Sequence, residues 1–255
     1  MATLPIDVQV RGGGPERPFL GAASLFGTEY DLQRPVQVEV RDDPDERTRV
    51  GHTNDHHRLI ISRQAATSAM ARELALHEFA HMYRHEQGHP SHIQSTDEVL
   101  FLALAGRSVE HRKVTHCYQI ANHVKDIYAD DLWLELAPGE KLVRFFESTL
   151  AIAVSDRPAE RQPTWTRRTS ASDPDITAVN AAFALAQAER HGLTDRDHRL
   201  YDLAHAAAED APDVSFNTFK HRFLALESDP DESGFRKALV DLTREYVLDE
   251  RRAAD

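Results

Sequence analysis

Two histidines one helical turn apart, with a glutamate between them, stand at His77-Glu78-Phe79-Ala80-His81. In a helix, residues i and i+4 lie one above the other on a single face. His77 and His81 can therefore present two imidazole nitrogens to one metal ion. Glu78 is the next residue after His77, close enough to reach a water held by that ion. A metal lowers the pKa of bound water towards neutrality, and a carboxylate can then take its proton. The chemistry this spacing allows is hydrolysis by an activated water. Histidine is abundant here, 15 in 255 residues, so the motif is weighed against chance by its surroundings. Ala75, Leu76, Phe79, Ala80 and Met82 are all uncharged, as a metal helix beneath a cleft requires. The plainer alternative is a surface helix carrying two unrelated histidines.

Such a metal needs three protein ligands and one open position. His85 lies on the face of His81 but a further turn along, so a rigid helix holds it at the rim. The better candidates are downstream, in His123-Val124-Lys125-Asp126-Ile127-Tyr128-Ala129-Asp130-Asp131. Asp126 and Asp130 are at i and i+4, and His116 and His123 fall on the same face seven residues apart. Ile120, Ile127 and Leu132 imply that this helix packs against others. A buried face bearing two histidines and two aspartates needs partners for its charges, and a metal supplies one. An ordinary solvated acidic face is the competing reading. His89 and His92, in Gly88-His89-Pro90-Ser91-His92, read as loop residues able to line a cleft. Tyr118, Tyr128 and His123 could each stabilise an oxyanion, and spacing does not choose among them.

The pair of motifs resembles the gluzincin group of zincin metallopeptidases, which carry H-E-x-x-H on one helix and E-x-x-x-D on a later one. The resemblance spans residues 35–150 and rests on these two short motifs. It implies Zn2+ held by His77, His81 and Asp126, with Asp130 behind His77 holding its far nitrogen, a pairing that fixes the tautomer and raises ligand basicity. It implies Glu78 as the general base and a peptide or protein as substrate. Asp126 stands where the family has Glu and is one methylene shorter, which leaves His123 as the substitute ligand. The metzincin class is excluded: its third histidine would fall on Gln87 and its glycine on Arg84. The histidine-rich 88–92 stretch is similar to one in proteins of salt-loving archaea. Two other classes stay open. One is a non-catalytic metal-binding regulatory protein on the same fold. The other is a helical interaction protein whose motif histidines point apart.

The elements that must position these residues are read from local pattern. Residues 1–34 contain Gly12-Gly13-Gly14-Pro15, read as a turn, since no Lys-Ser/Thr comes after it to make a phosphate loop. Val36, Val38 and Val40 alternate with polar residues as in a half-buried strand, and Leu59-Ile60-Ile61 is a second. Either could offer an edge to an extended peptide. Residues 65–87 read as one helix, with Gly88 as its C-cap and Pro90 just beyond. Further helices are expected over 96–110, 114–135 and 139–154. The proline-bearing stretch 156–174 reads as a linker, leading to helices over 175–191, 195–210, 215–227 and 233–251, the last ending in Arg251-Arg252 at its favoured terminus. The expected architecture is α+β. A zincin-like domain over 1–155, with a small N-terminal sheet and a metal-binding helix, precedes a helical region over 175–255.

Composition sets the boundaries. Forty-two acidic residues against thirty basic ones give a net charge of −12, which disfavours nucleic acid and anionic membrane as partners. Lysine occurs only at Lys113, Lys125, Lys141, Lys220 and Lys237. An acidic surplus with scarce lysine resembles the composition of halophilic proteins, for which salt screens self-repulsion. An acidic bacterial protein from a GC-rich genome is the alternative. No run of 18 apolar residues is present, so no membrane span is expected, and Met1–Val10 does not read as a signal peptide. Cys117 is the single cysteine, which fits a reducing, cytoplasmic setting. Oligomeric state is not encoded in any of these patterns.

Overall fold

A computed structural model describes residues 6–155 and 173–248. The chain divides into two compact units, Met1–Ile93 with Tyr128–Pro138, and Gln94–Ile127 with Gly139–Asp255. The fold is α+β, with one small sheet and a mostly helical remainder. No helix among the described residues is long and apolar enough to cross a membrane.

The first unit contains strands β1 (Val8–Arg11), β2 (Val36–Arg41), β3 (Arg49–His52) and β4 (His57–Ser62), in sheet order β1-β2-β4-β3. β1 pairs parallel with β2 and β2 parallel with β4, whereas β3 runs antiparallel beside β4. The Val36/Val38/Val40 alternation appears as expected, with those three side chains buried. The suggestion that β2 or β4 offers a free edge is corrected: both are interior, and the edges are β1 and β3. All of β4 except Arg58 is buried, the pattern of a strand with neighbours on both sides. At the end of β1, Gly12 has φ +86°, and a Cβ there would lie 2.1 Å from the Val40 carbonyl oxygen. The turn read from the glycine run is thus a close approach between β1 and β2 that only glycine permits.

Helix α1 (Arg17–Phe26) adds to the expected elements. Its signal is in the sequence: Phe19, Ala22, Ala23 and Phe26 are buried and fall at i, i+3, i+4 and i+7, with Pro18 in the first turn where proline is favoured. The helix expected over 65–87 is two helices, α2 (Arg63–Ala66) and α3 (Ala71–Glu86). Ser62 caps α2 by accepting from the Ala65 N–H. The hydroxyls of Thr67 and Ser68 then donate to the carbonyls of Arg63 and Ala65. Such local side-chain bonds compete with helix continuation, which accounts for the break. Phe26 meets Phe79 edge-on at 6.2 Å between ring centroids, so α1 and α3 share a core built from the motif's own middle residue. Burial of a phenylalanine of this kind contributes roughly 1.5–3 kcal/mol.

At the end of α3, Gly88 adopts φ +65°. Its N–H donates to the His85 carbonyl, and the His89 N–H reaches the Arg84 carbonyl at 3.0 Å. This is the Schellman pair of hydrogen bonds, and it reverses the chain. The expected loop at His89 and His92 is instead the short helix α4 (Pro90–Ile93), which packs back on α3.

The second unit holds α5 (Thr96–Leu104), α7 (Glu140–Ser155), α8 (Pro174–Arg190), α9 (Arg199–Glu209), α10 (Phe216–Leu224) and α11 (Glu232–Leu248). Helix α6 (His111–Trp133) begins in this unit, and its last two turns belong to the first. α8 is buried at nearly every position from Ile176 to Ala188 and packs on α7, α9 and α10, while α11 packs on α5. Because α5 and α7 find their partners among the C-terminal helices, packing does not divide the chain at the proline-bearing stretch. Most of that stretch, 156–172, and Arg251-Arg252 lie outside the described residues. Its last two residues, Asp173 and Pro174, are the N-cap and first residue of α8.

Candidate metal centre

Helix α3 places His77 and His81 half-buried on one face and Glu78 buried, at 8 % exposure, on the adjoining one. The Nε2 atoms of the two histidines are 2.9 Å apart, with ring planes nearly perpendicular. They converge on a common point, as the i, i+4 spacing requires. One nitrogen of each, together with a carboxylate oxygen of Asp126, forms a group whose atoms all lie within 4.8 Å of one another.

One turn after Asp126 on α6, Asp130 is buried and accepts from His77 Nδ1 at 2.7 Å. The same Oδ1 accepts from the indole N–H of Trp133 at 2.5 Å. Two donors on one oxygen fix the carboxylate, and the carboxylate fixes the His77 ring with Nε2 turned to the ligand group. Arg84 adds a hydrogen bond from Nε to the Tyr128 carbonyl at 3.0 Å, tying α3 to the last turns of α6. On the other side, His81 Nδ1 lies 2.7 Å from His92 Nε2. His92 Nδ1 lies 2.7 Å from Ser91 Oγ, which lies 2.7 Å from His89 Nδ1. Trp133 lies three residues after Asp130 on one helix, a spacing that makes the two side chains neighbours, whereas the role of Ser91 has no spacing signal, because the Schellman reversal brings it to its place.

The other candidates fall outside that group, although His123 Nδ1 lies 3.8 Å from Asp126 Oδ2. His123 Nε2 contacts Asn180 Oδ1 at 2.8 Å, and its ring stacks on Phe183 at 4.2 Å. His116 is buried, with Nδ1 2.5 Å from the Tyr246 hydroxyl. A helix rises 1.5 Å per residue, so His123 and His116 lie roughly 10 and 21 Å along the axis from Asp130. They share its face and meet other neighbours. Tyr118 is exposed and donates to Asp97, and Tyr128 is buried with its ring against His89. His85 stacks face to face on His52 at 3.7 Å. Beside it, His57 is fully buried between His52 Nδ1 and Glu86 Oε1. Burial holds the imidazoles of both His57 and His85 below the usual range, although Glu86 opposes this at His57. Cys117 is buried, and burial pushes its thiol up to about 12, so it offers no thiolate nucleophile.

The chemistry of the donor set fits zinc: two imidazole nitrogens and a carboxylate oxygen, with the first imidazole backed by a carboxylate. Two Zn–N bonds of 2.0–2.1 Å at a tetrahedral angle separate the nitrogens by about 3.3 Å, within a small relaxation of the observed spacing.

A family model covers residues 6–248, almost the whole chain. The chain belongs to DUF5781, a family of unknown function. No curated protein and no solved structure matches it. In this DUF5781 member the H-E-x-x-H helix, the carboxylates of α6 and the 88–92 turn all fall inside the matched region.

Proposed function

We propose that this chain is a zinc-dependent peptidase whose site is zincin-like, with His77, His81 and Asp126 as ligands and Asp130 as the residue that orients His77. The observation that carries the reading is the convergence of two Nε2 atoms at 2.9 Å with a carboxylate in the same group. Two imidazole lone pairs do not face each other at that distance without a cation or a proton between them. An accidental motif would leave the rings apart. The engagement of His123 with Asn180 and Phe183 favours Asp126 as the third ligand.

A bound zinc would supply Lewis acidity for the scissile carbonyl and a water acidic enough to lose a proton near neutral pH. The chain's own residues do the rest. His77 and His81 offer Nε2, and Asp126 offers one oxygen. Asp130 keeps the His77 ring from turning and Trp133 keeps Asp130 from turning. The Glu78 carboxylate accepts the water's proton and returns it to the leaving amine. The single, inert cysteine suits a reducing cytoplasmic setting, and the net charge of −12 suits a salt-rich one.

The test is metal content together with hydrolysis. Protein purified without chelator should carry one zinc per chain. Glu78→Gln should keep the zinc and lose cleavage of a fluorescently labelled unfolded protein. Failure to bind zinc even when it is supplied would refute the reading. Cleavage within a few-fold of wild type in Glu78→Gln would remove Glu78 from its role.

A further inference from the structure

The 88–92 turn holds three polar side chains that metal ligation and proton transfer do not by themselves require. His81 Nδ1, His92 Nε2, His92 Nδ1, Ser91 Oγ and His89 Nδ1 form an unbroken series of 2.7 Å contacts. Ser91 is fully buried and His89 is 5 % exposed. Each contact could in principle run in either direction, since an imidazole nitrogen donates or accepts according to tautomer. One further bond removes the ambiguity. The backbone N–H of Ser91 points at His89 Nδ1 at 3.3 Å. It is the cap bond of α4, from the second residue of the helix to the side chain that precedes it. A backbone N–H only donates, so His89 Nδ1 carries a lone pair.

The remaining directions are set by elimination. If His89 Nδ1 accepts, the Ser91 hydroxyl donates to it. Ser91 Oγ must then accept from His92, so His92 carries its proton on Nδ1. Neutral His92 has a bare Nε2, which accepts from His81. His81 therefore carries its proton on Nδ1 and turns a bare Nε2 towards His77 and Asp126, the form in which a histidine ligates a metal through that atom. The reverse direction would leave His81 protonated on Nε2 and unable to bind.

We propose that His89, Ser91 and His92 are positioning residues: a relay anchored on a helix-cap hydrogen bond that fixes the His81 tautomer for metal binding through Nε2. The relay rests on the zinc reading, because the bare Nε2 atoms of His81 and His77 face each other at 2.9 Å and a bound cation is what lets both stay unprotonated. The relay gives His81 a neutral counterpart to the Asp130 carboxylate behind His77. A neutral relay orients the ring without placing a second negative charge beside the ligand set, which already contains one ligating carboxylate.

The relay is tested by nitrogen-15 NMR of zinc-loaded, histidine-labelled protein at a pH where imidazoles are neutral. In the zinc-loaded state His92 should appear protonated on Nδ1 and His89 on Nε2. Neither residue is a proposed ligand, so their tautomers report the relay and not the metal bonds themselves. His92 protonated on Nε2 would overturn the proposal. Ser91→Ala, which keeps the cap bond but breaks the relay, should let His92 change tautomer and weaken zinc binding about 10–100-fold, the usual scale for a ligand's supporting partner. His92→Gln, whose carbonyl can accept from His81 Nδ1, should keep most of the affinity that His92→Leu loses. Equal affinities for these two, or an unchanged affinity in Ser91→Ala, would also overturn it. A wild-type protein that binds no zinc would refute the peptidase reading, whereas zinc binding with His92 protonated on Nε2 would refute the relay and leave that reading standing.

Discussion

Asp130→Ala and Asp130→Asn should separate two things that Asp130 does. Its Oδ1 accepts from His77 Nδ1 at 2.7 Å and from Trp133 Nε1 at 2.5 Å, and it is 2 % exposed. Alanine leaves both donors without their acceptor. The indole is buried at 2 % exposure, so its share is a full desolvation cost of about 1–3 kcal/mol. The His77 side chain is 21 % exposed, and water offsets part of its share. The sum is about 3 kcal/mol, which for a chain of this size lowers Tm by roughly 10 °C. Asparagine keeps a carbonyl oxygen in place and avoids burying a charge, so its stability should stay within about 1 kcal/mol of wild type. It does lose the negative charge that raises His77 basicity. Zinc affinity, read by competition with a chromophoric chelator, should fall about 10–100-fold in both variants. A double-mutant cycle with His77→Ala, read as denaturant stability of metal-free protein, should show coupling of about 0.5–3 kcal/mol. Wild-type zinc affinity in Asp130→Asn, or stability effects of Asp130→Ala and His77→Ala that simply add, would refute the reasoning.

Three further outcomes are expected. Asp126→Ala should cost more zinc affinity than Asp130→Asn, because it removes a metal bond outright, whereas His123→Ala should leave affinity within a few-fold; the opposite order would make His123 the third ligand. Metal-free protein should lose stability as pH falls from 7.5 to 5. His57 and His85 are held below the usual value by burial, so the unfolded chain takes up their protons near 6.5 while the folded chain does not. The stability they contribute is present above that pH and is lost below it. A Tm that stays flat across the range would refute this, and His57→Gln should make the slope shallower. With a net charge of −12, Tm should rise between 0.1 M and 2 M KCl, as the Debye length falls from about 10 Å at 0.1 M to about 3 Å at 1 M; a falling Tm would count against the salt-adapted reading and leave the metal site untouched.

Whatever a single element encodes is legible in the sequence. The 3.6-residue period puts His77 and His81 on one face and Asp126 and Asp130 on another. Gly88 and Pro90 mark the end of α3. The Val36–Val40 alternation marks a strand. Each is a local consequence of backbone geometry. The same kind of signal is present for α1 in Phe19, Ala22, Ala23 and Phe26, but the glycine run before it masks it. The α2–α3 break is not legible, because it depends on which way the Thr67 and Ser68 hydroxyls turn, and composition does not record that.

What the tertiary structure decided is everything that depends on two elements meeting. Heptad spacing gives His116, His123 and Asp130 one face, but the rise along α6 carries them past different neighbours. Only the packed helix decides that Asp130 reaches His77 while His123 stacks on Phe183. The strands read as edges are interior, because strand order is set by chain crossovers and not by the strands' own residues. His89, Ser91 and His92 read as a loop; the left-handed conformation of Gly88 folds them back, and a cap bond then gives their contacts a direction. The sequence by itself determined a pair of histidines able to share a metal. The fold decided which carboxylates and which neutral partners hold those histidines, because hydrogen bonds act over about 3 Å and sequence separation says nothing about which groups come that close.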